Sequence, residues 1–286
     1  MESPMEVIKR RKSVRTYEEN KPVNKEEINR IQDLLNEEQI GPLGNPVRFR
    51  LLDLGQLSAR QLRALGTYGL IRGARFYLLA AIPDGEGALE DCGYCMERII
   101  LEITALGLGT CWLSGTFRRS SFARQMELEE NELLPAISPV GYPGEKKRMA
   151  EKLMKIGTRS EKRKPWSQLF ISCDGLSPLT EKEAGPYAEP LEAVRLGPSS
   201  MNLQPWRIVR DPEGDFHLYL KGRRENQRTD NPLDSQRIDM GIAMCHLELV
   251  ARHKKLEGSW KRLEGLLDSE PPMGNLEYVA SWIEKT

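Results

Sequence analysis

The chain is poor in the residue types that most metal and redox centres need. It has three histidines, His217, His246 and His253, and five cysteines in 286 residues. An odd number of cysteines at irregular spacing excludes the disulfide framework of a small secreted protein. Cys92 and Cys95 form a lone C-x-x-C, but no second pair follows, no histidine clusters with them, and they fall in a segment of helical periodicity. They read as buried structural thiols, and no metal site is expected. An excess of charge is also missing: 42 basic residues balance 42 acidic ones, so no global field recruits nucleic acid or an anionic membrane. The local basic cluster "KGRREN" (Lys221 to Asn226) reads as a solvated turn. Long apolar runs are absent as well. The best of them, "IILEITALGLGTCWLSG", is interrupted by Glu102, Gly107, Gly109 and Gly115, and the start "MESPMEVIKRRKS" has no apolar core of a secretion signal. A cytoplasmic protein with no membrane or nucleic-acid partner is expected. Apolar residues make up 39% of the chain, enough for a packed core in one large domain or two ordinary ones.

What is present appears twice. "DCGYCMERIILEITALGLGTCW" (Asp91 to Trp112) aligns without a gap on "DMGIAMCHLELVARHKKLEGSW" (Asp239 to Trp260). Asp91 meets Asp239, Gly93 meets Gly241, Met96 meets Met244, Leu101 meets Leu249, Leu108 meets Leu256 and Trp112 meets Trp260, every pair 148 positions apart. A loop duplicates in the same order: "IGPLGNPVRF" (Ile40 to Phe49) is a shortened form of "LGPSSMNLQPW" (Leu196 to Trp206), and what it lacks is the Ser-Ser-Met-Asn centre. Two ordered matches imply two diverged halves, 1–170 and 171–286.

Each half carries a coarse pattern of helix, loop, strand, long helix, strand. "KEEINRIQDLLNEE" has Ile28, Ile31, Leu34 and Leu35 at helical spacing after an N-cap at Asn24. "VRFRLLDL", "ARFYLLAAI", "ISPVGY" and "LEYVASWI" read as strands, and "WRIVRDPEGDFHLYL" as a hairpin turning through Asp211 to Asp215. Helices and strands mix without regular βαβ alternation, and no G-x-G-x-x-G follows a strand, so the fold class is α+β.

Four elements carry chemistry. "RRKSVRTY" places Arg11, Ser13 and Arg15 at alternate positions, and in an extended segment that alternation points two guanidiniums and a hydroxyl one way, suited to an anionic phosphate; by itself it also reads as a basic, solvated terminus. "RSEKRKPW" (Arg159 to Trp166), with Arg163 and Lys164, is a second basic element that reads as a linker or as a helper for the same anion. "GLGTCWLSG" ends the long helix: Gly107 and Gly109 suit a C-cap, and Gly115 after Ser114 allows backbone N–H groups close to a flat ligand. Pro198, Ser199, Ser200, Asn202 and Gln204 supply donors and acceptors for a heterocycle and a sugar-like chain, or for a polar turn before a strand. The first half keeps the basic grip and the glycine loop, whereas the second keeps the polar loop and has no counterpart of "RRKSVRTY".

With these residues in view, the chain resembles the FMN-dependent nitroreductase family, and most closely its fused "putative TM nitroreductase" subgroup. Arg11, Ser13 and Arg15 match the family's R-x-S-x-R; Pro198, Ser199, Ser200, Asn202, Gln204 and Pro205 match its P-S-S-x-N-x-Q-P; "VGYPGEKKR" followed by "RKPW" is similar to its usual end. The resemblance implies a pseudo-dimer with central sheets flanked by helices, in which one of two interfacial FMN sites is kept. It implies that Arg11, Ser13 and Arg15, helped by Arg163 or Lys164, hold the FMN phosphate, that Ser199, Ser200 and Asn202 contact ring and ribityl, and that amides of Ser114 and Gly115 face the reactive edge. Family members often carry an acidic residue where Ser114 stands. The implied activity is hydride transfer from NAD(P)H through flavin to a nitroaromatic, quinone or similar acceptor by ping-pong kinetics, with no dedicated acid–base residue and a monomer that completes its own site. Dehalogenation, ring dehydrogenation, flavin breakdown and non-catalytic flavin or nucleotide binding are the other functions the resemblance leaves open.

Overall fold

The computed structural model describes residues 2–144, 162–174, 177–222, 233–267 and 274–285. The segments 145–161 and 223–232, which hold most of "PGEKKR", the start of "RSEKRKPW" and the end of "KGRREN", lie outside them.

Local signals set the first elements. Ser3 and Asn24 each close a capping box with the glutamate three residues on, opening α1 (Pro4–Arg10) and α2 (Lys25–Asn36). The first sheet runs β1 (Arg48–Asp53), β2 (Phe76–Pro83), β4 (Glu132–Gly141), β3 (Gly109–Thr110), all antiparallel. Helix α3 (Ala59–Ala64) follows β1, α4 (Ala88–Ala105) links β2 to β3, and α5 (Arg119–Met126) precedes β4. β2 is buried along almost its whole length because both of its faces are covered. Phe76, Leu78, Ala80 and Ile82 pack with α4 in the main core, while Tyr77, Leu79 and Ala81 pack with Phe122 and Met126 of α5 in a second cluster, as the two-residue strand period requires.

The second sheet runs β5 (Phe170–Ile171), β6 (Trp206–Arg210), β7 (Phe216–Lys221), β9 (Leu276–Glu284), β8 (Gly258–Lys261). The β6–β7 hairpin turns where the sequence places it: the Asp211 carboxylate accepts from the amides of Gly214 and Asp215. Helices α6 (Glu181–Ala184) and α7 (Ala188–Leu196) precede β6, α8 (Ser235–His253) follows β7, and the single turn α9 (Glu264–Leu267) follows β8. β5 pairs parallel with β6, through two residues too few to show a pattern in sequence. The mixture of mainly antiparallel sheets and helices is the α+β class expected.

The two long helices are the seam. α4 and α8 pack against each other more extensively than any other pair of elements, and both contribute to the same main core. At their crossing two glycines meet. A Cβ on Gly93 would lie 2.1 Å from the Ile238 carbonyl oxygen, and one on Gly241 would lie 1.8 Å from the Glu90 carbonyl oxygen. The 148-residue offset exchanges these contacts, since it carries Glu90 to position 238 and Gly93 to position 241. The crossing has the self-complementary form of a two-fold interface.

The thiols in α4 are structural, as the lone C-x-x-C suggests: Cys92 and Cys95 are both buried and unbridged, and burial pushes the Cys95 thiol up to about 12. One glycine reading needs correction. Gly107 has φ +81 and ends α4 as expected, but Gly109 lies within β3, where its constraint is contact: a Cβ there would meet Val14 Cγ2 at 2.7 Å.

The helix crossing gives a stability prediction. Gly93→Ala or Gly241→Ala drives a methyl into backbone, which cannot rotate away, and is expected to cost about 3 kcal/mol or more in urea unfolding. Gly265→Ala, at an exposed position with nothing within 4 Å of the new methyl, stays within about 0.5 kcal/mol of the parent. Equal behaviour of the three variants would show that the crossing does not need its glycines.

Candidate functional site

The basic segment leaves α1 at its C-cap, Arg11, and runs along the free edge of the first sheet. Ser13 bridges to Thr110 of β3 in parallel, Val14 N–H donates to the Thr110 carbonyl, and Thr16 and Tyr17 bridge to Arg72 and Pro143. The Arg11 side chain is 6% exposed and turns inward, with Nε 3.8 Å from the carboxylate of Glu97 in α4. Two guanidinium atoms of this segment, Arg11 Nη1 and Arg15 Nε, are buried without a hydrogen-bond partner among the described residues. Donors in that state cost stability unless something accepts from them, and a delocalised cation most readily finds an anion.

The polar loop is pinned from behind. Asp239, in the second turn of α8, is fully buried and accepts from the Ser200 amide at 3.0 Å through both oxygens; burial pushes its carboxyl well above the usual range. The repeat is kept here in three dimensions. Asp91, in the first turn of α4, accepts from the amides of Leu43 and Asn45 at 2.9 and 2.8 Å, tying down the worn loop in the same manner. The aspartates align in sequence, yet their task was not legible, because the partner amides are 39 to 48 residues away.

The side chains expected to face a heterocycle are largely engaged within the protein. Met201, Asn202 and Gln204 have φ of 51, 57 and 46, a left-handed run that bulky side chains rarely adopt. It folds the loop back on residues 162–164. Asn202 Nδ2 donates to the Lys162 carbonyl at 2.8 Å, Gln204 Oε1 accepts from the Lys164 amide at 2.7 Å, and Arg163 Nη1 donates to Asn202 Oδ1 at 3.0 Å. Ser199 Oγ accepts from the Gln204 amide at 2.9 Å. Asn202 and Gln204 thus weld the second basic element to the loop, and the loop's left-handed turn is what the sequence did not reveal.

Burial and the neighbouring charges of Arg11 and Arg195 lower the Arg163 guanidinium to about 10, so the charge of the first basic segment is felt at the second. Lys164 is lowered to about 8 by burial and by the cations Arg207 and Lys221, its Nζ donating to the carbonyls of Leu203 and Gln204. Ser114 and Gly115 sit where the β3 edge continues past the Leu113–Ile137 bridge. The Ser114 carbonyl accepts from Arg119, and space around Gly115 is open. Neither is hydrogen-bonded to the basic or polar elements among the described residues. Among the described residues there is also no cluster of metal ligands, and no helix is long and apolar enough to cross a membrane.

A family model described as "Putative TM nitroreductase" matches residues 4–251. The chain belongs to that family. A crystal structure of a "putative nitroreductase" from Thermotoga maritima covers 99% of this chain and 94% of its own, at TM-score 0.61 and 20% identity, which shows the shared fold. A nitroreductase family protein from Clostridium difficile covers 59% of this chain and 96% of its own at 21% identity and TM-score 0.43. A nitroreductase with bound FMN from Bacteroides fragilis covers 52% and 92% at 17% identity and TM-score 0.37. No curated protein matches the chain.

In this nitroreductase-family chain one further group of residues escaped the sequence reading. Glu97 of α4 and His246 of α8 are both fully buried and lie 3.0 Å apart, oxygen to Nε2, beside Arg11. The available signal was asymmetry: 148 positions on from Glu97 the repeat has Cys245.

Lys164 supplies a pH test. Its folded value lies below the ordinary 10.5, so between about pH 8 and 10.5 the unfolded chain binds more protons than the folded one. The stability of the ligand-free protein therefore gains a rising increment over that window. Lys164→Met removes the increment, which is read as a flatter urea midpoint against pH; parallel profiles for the two proteins would show that Lys164 is an ordinary surface amine.

Proposed function

We propose that the chain is an FMN-dependent oxidoreductase with one flavin site, built between two halves, 1–170 and 171–286, that form a pseudo-dimer within one polypeptide. The observation that carries this reading is the pair of buried guanidinium atoms, Arg11 Nη1 and Arg15 Nε, that have no hydrogen-bond partner among the described residues, with the charge of Arg11 felt at Arg163. A phosphate monoester dianion fits such a place, because each oxygen accepts charge-assisted hydrogen bonds from several donors.

In this reading Arg11, Ser13 and Arg15 receive the FMN phosphate, and Arg163 and Lys164 add positive charge from the other side. Asn202 and Gln204 hold that second basic element in place. Pro198, Ser199 and Ser200, pinned by Asp239, present the loop to ring and ribityl, and the open backbone at Ser114 and Gly115 lines the reactive edge. When bound, the flavin supplies hydride acceptance and donation. The protein's part is to bind it, to orient it and to leave one face open. The cations also favour negative charge at the site. NAD(P)H and an electron-poor acceptor such as a nitroaromatic or quinone then use the same face in turn, which gives ping-pong kinetics and needs no acid–base side chain.

The opposite end of the helix pair supports a single site. Position 262, the repeat equivalent of Ser114, is Arg262, which pairs with Glu86 at 2.5 Å. Arg237 pairs there with Glu90 at 2.7 Å and with Glu277. Both arginines line a cavity of about 510 Å³, and each has its own carboxylate. Cations already neutralised in this way offer a phosphate little.

The deciding measurement is a visible spectrum of the purified protein with FMN, followed by NADPH or NADH in the absence of oxygen. We expect a flavin spectrum that bleaches, and a light-scattering mass of one chain. A bound spectrum that persists with both nicotinamides would reduce the protein to a flavin binder. No bound flavin would remove the reading altogether.

A further inference from the structure

We infer that Glu97 and His246 are positioning residues that fix Arg11 for the anion it receives; the inference rests on the flavin-phosphate reading above. Glu97 is fully buried, and its carboxylate has three neighbours from three elements. Oε2 accepts from Trp112 Nε1 at 2.6 Å, Oε1 faces His246 Nε2 at 3.0 Å, and Oε1 lies 3.8 Å from Arg11 Nε. His246 is itself locked from behind. Its Nδ1 is 2.8 Å from the Ala193 carbonyl of α7, which can only accept, so Nδ1 carries a hydrogen. The Nε2 contact with Glu97 then holds one proton between imidazole and carboxyl. A chain of contacts runs from α7 through α8 and α4 to the C-cap of α1, ending on the guanidinium.

A buried carboxylate is expensive, and one that merely satisfied its neighbours would be replaceable. The repeat supplies the comparison within the same molecule. Trp260 is the equivalent of Trp112, its Nε1 is buried with no partner among the described residues, and Cys245 is the equivalent of Glu97. The fold therefore tolerates a tryptophan at this place without an acid beneath it. His246 has Arg98 as its equivalent, so both members of the pair are confined to the end of the helix pair where Arg11 is. The division of Arg11's donors agrees. Its Nε edge faces Glu97, while Nη1 is buried and has no partner among the described residues. Glu97 thus holds one edge of the guanidinium fork and leaves the other for an incoming anion, removing the side-chain freedom that a long arginine otherwise loses on binding. A pair that bridges the two halves behind a ligand contact also ties anion binding to the helix seam.

The test is a double-mutant cycle on the full chain stripped of flavin, reading the dissociation constants of FMN, of riboflavin, which lacks the phosphate, and of inorganic pyrophosphate. Glu97→Gln is expected to weaken FMN about tenfold and to leave riboflavin within about twofold. Added to Arg11→Ala, it should change FMN by less than about twofold, because it acts through that arginine. His246→Gln should give a smaller loss of the same phosphate-specific kind, and it takes the place of Glu97→Gln in the cycle if that variant does not fold. Equal losses for riboflavin and FMN, or a full loss on top of Arg11→Ala, would make the pair a structural element and overturn the proposal. If the parent protein binds pyrophosphate but neither flavin, and both Arg11→Ala and Glu97→Gln abolish that binding, the flavin reading fails and the positioning role stands. No binding of any of the three overturns both.

Discussion

The contact between Gly93 and Gly241 is the constraint on which the remaining geometry depends. Two helices can approach to backbone contact only where side chains vanish, and here each glycine faces the carbonyl oxygen of the other helix. Asp91 and Asp239 lie two residues before these glycines, so the approach that fixes the helices also fixes both aspartates. Each aspartate in turn holds the amides of one G-P loop. A single crossing thereby locates both loops, one at each end of the seam, relative to the same core. Nothing in this arrangement prefers one end.

The preference comes from charge. At one end Arg11 and Arg15 have guanidinium atoms without partners among the described residues, and the polar loop holds Arg163 and Lys164 through Asn202 and Gln204. At the other end Arg237 and Arg262 are neutralised by Glu90, Glu277 and Glu86. Packing can remain nearly two-fold while electrostatics does not, because exchanging a Glu for a Cys at positions 97 and 245 leaves the helix seam intact. In a dimer of identical chains that separation is impossible, since every substitution appears at both ends. In the pseudo-dimer proposed above, two copies in one polypeptide, that restriction does not apply.

The extent to which the sequence revealed this follows from the range of each interaction. Asn24 and Ser3 cap helices through the residue three places on, Asp211 closes a hairpin through its own amides, and the alternation of β6 and β7 is local. Such features are readable because their partners lie within the same short window. The repeat was readable for another reason: a fixed offset needs no structure to be seen. What escaped was every contact spanning tens of residues: Ser200 to Asp239, Lys164 to Gln204, Glu97 to His246 across 149 positions. The polar loop illustrates the difference. Its residue types announced a ligand, but three left-handed residues turn Asn202 and Gln204 back onto residues 162–164, and no side-chain inventory specifies that turn.

The repeat nevertheless held more information than a comparison of its matches extracts. Identical positions such as 93 and 241 report what both copies need, which is packing. Positions that differ in chemical kind report what one copy needs alone. Glu97 opposite Cys245 and Ser114 opposite Arg262 are of that second type. A charge introduced in one copy must be answered by a partner on that side only, and the answer is His246 in the first case and Glu86 in the second. On the proposed duplication, mismatches at buried or pocket-lining positions are where a one-sided role would sit, and the matches are the scaffold both copies share.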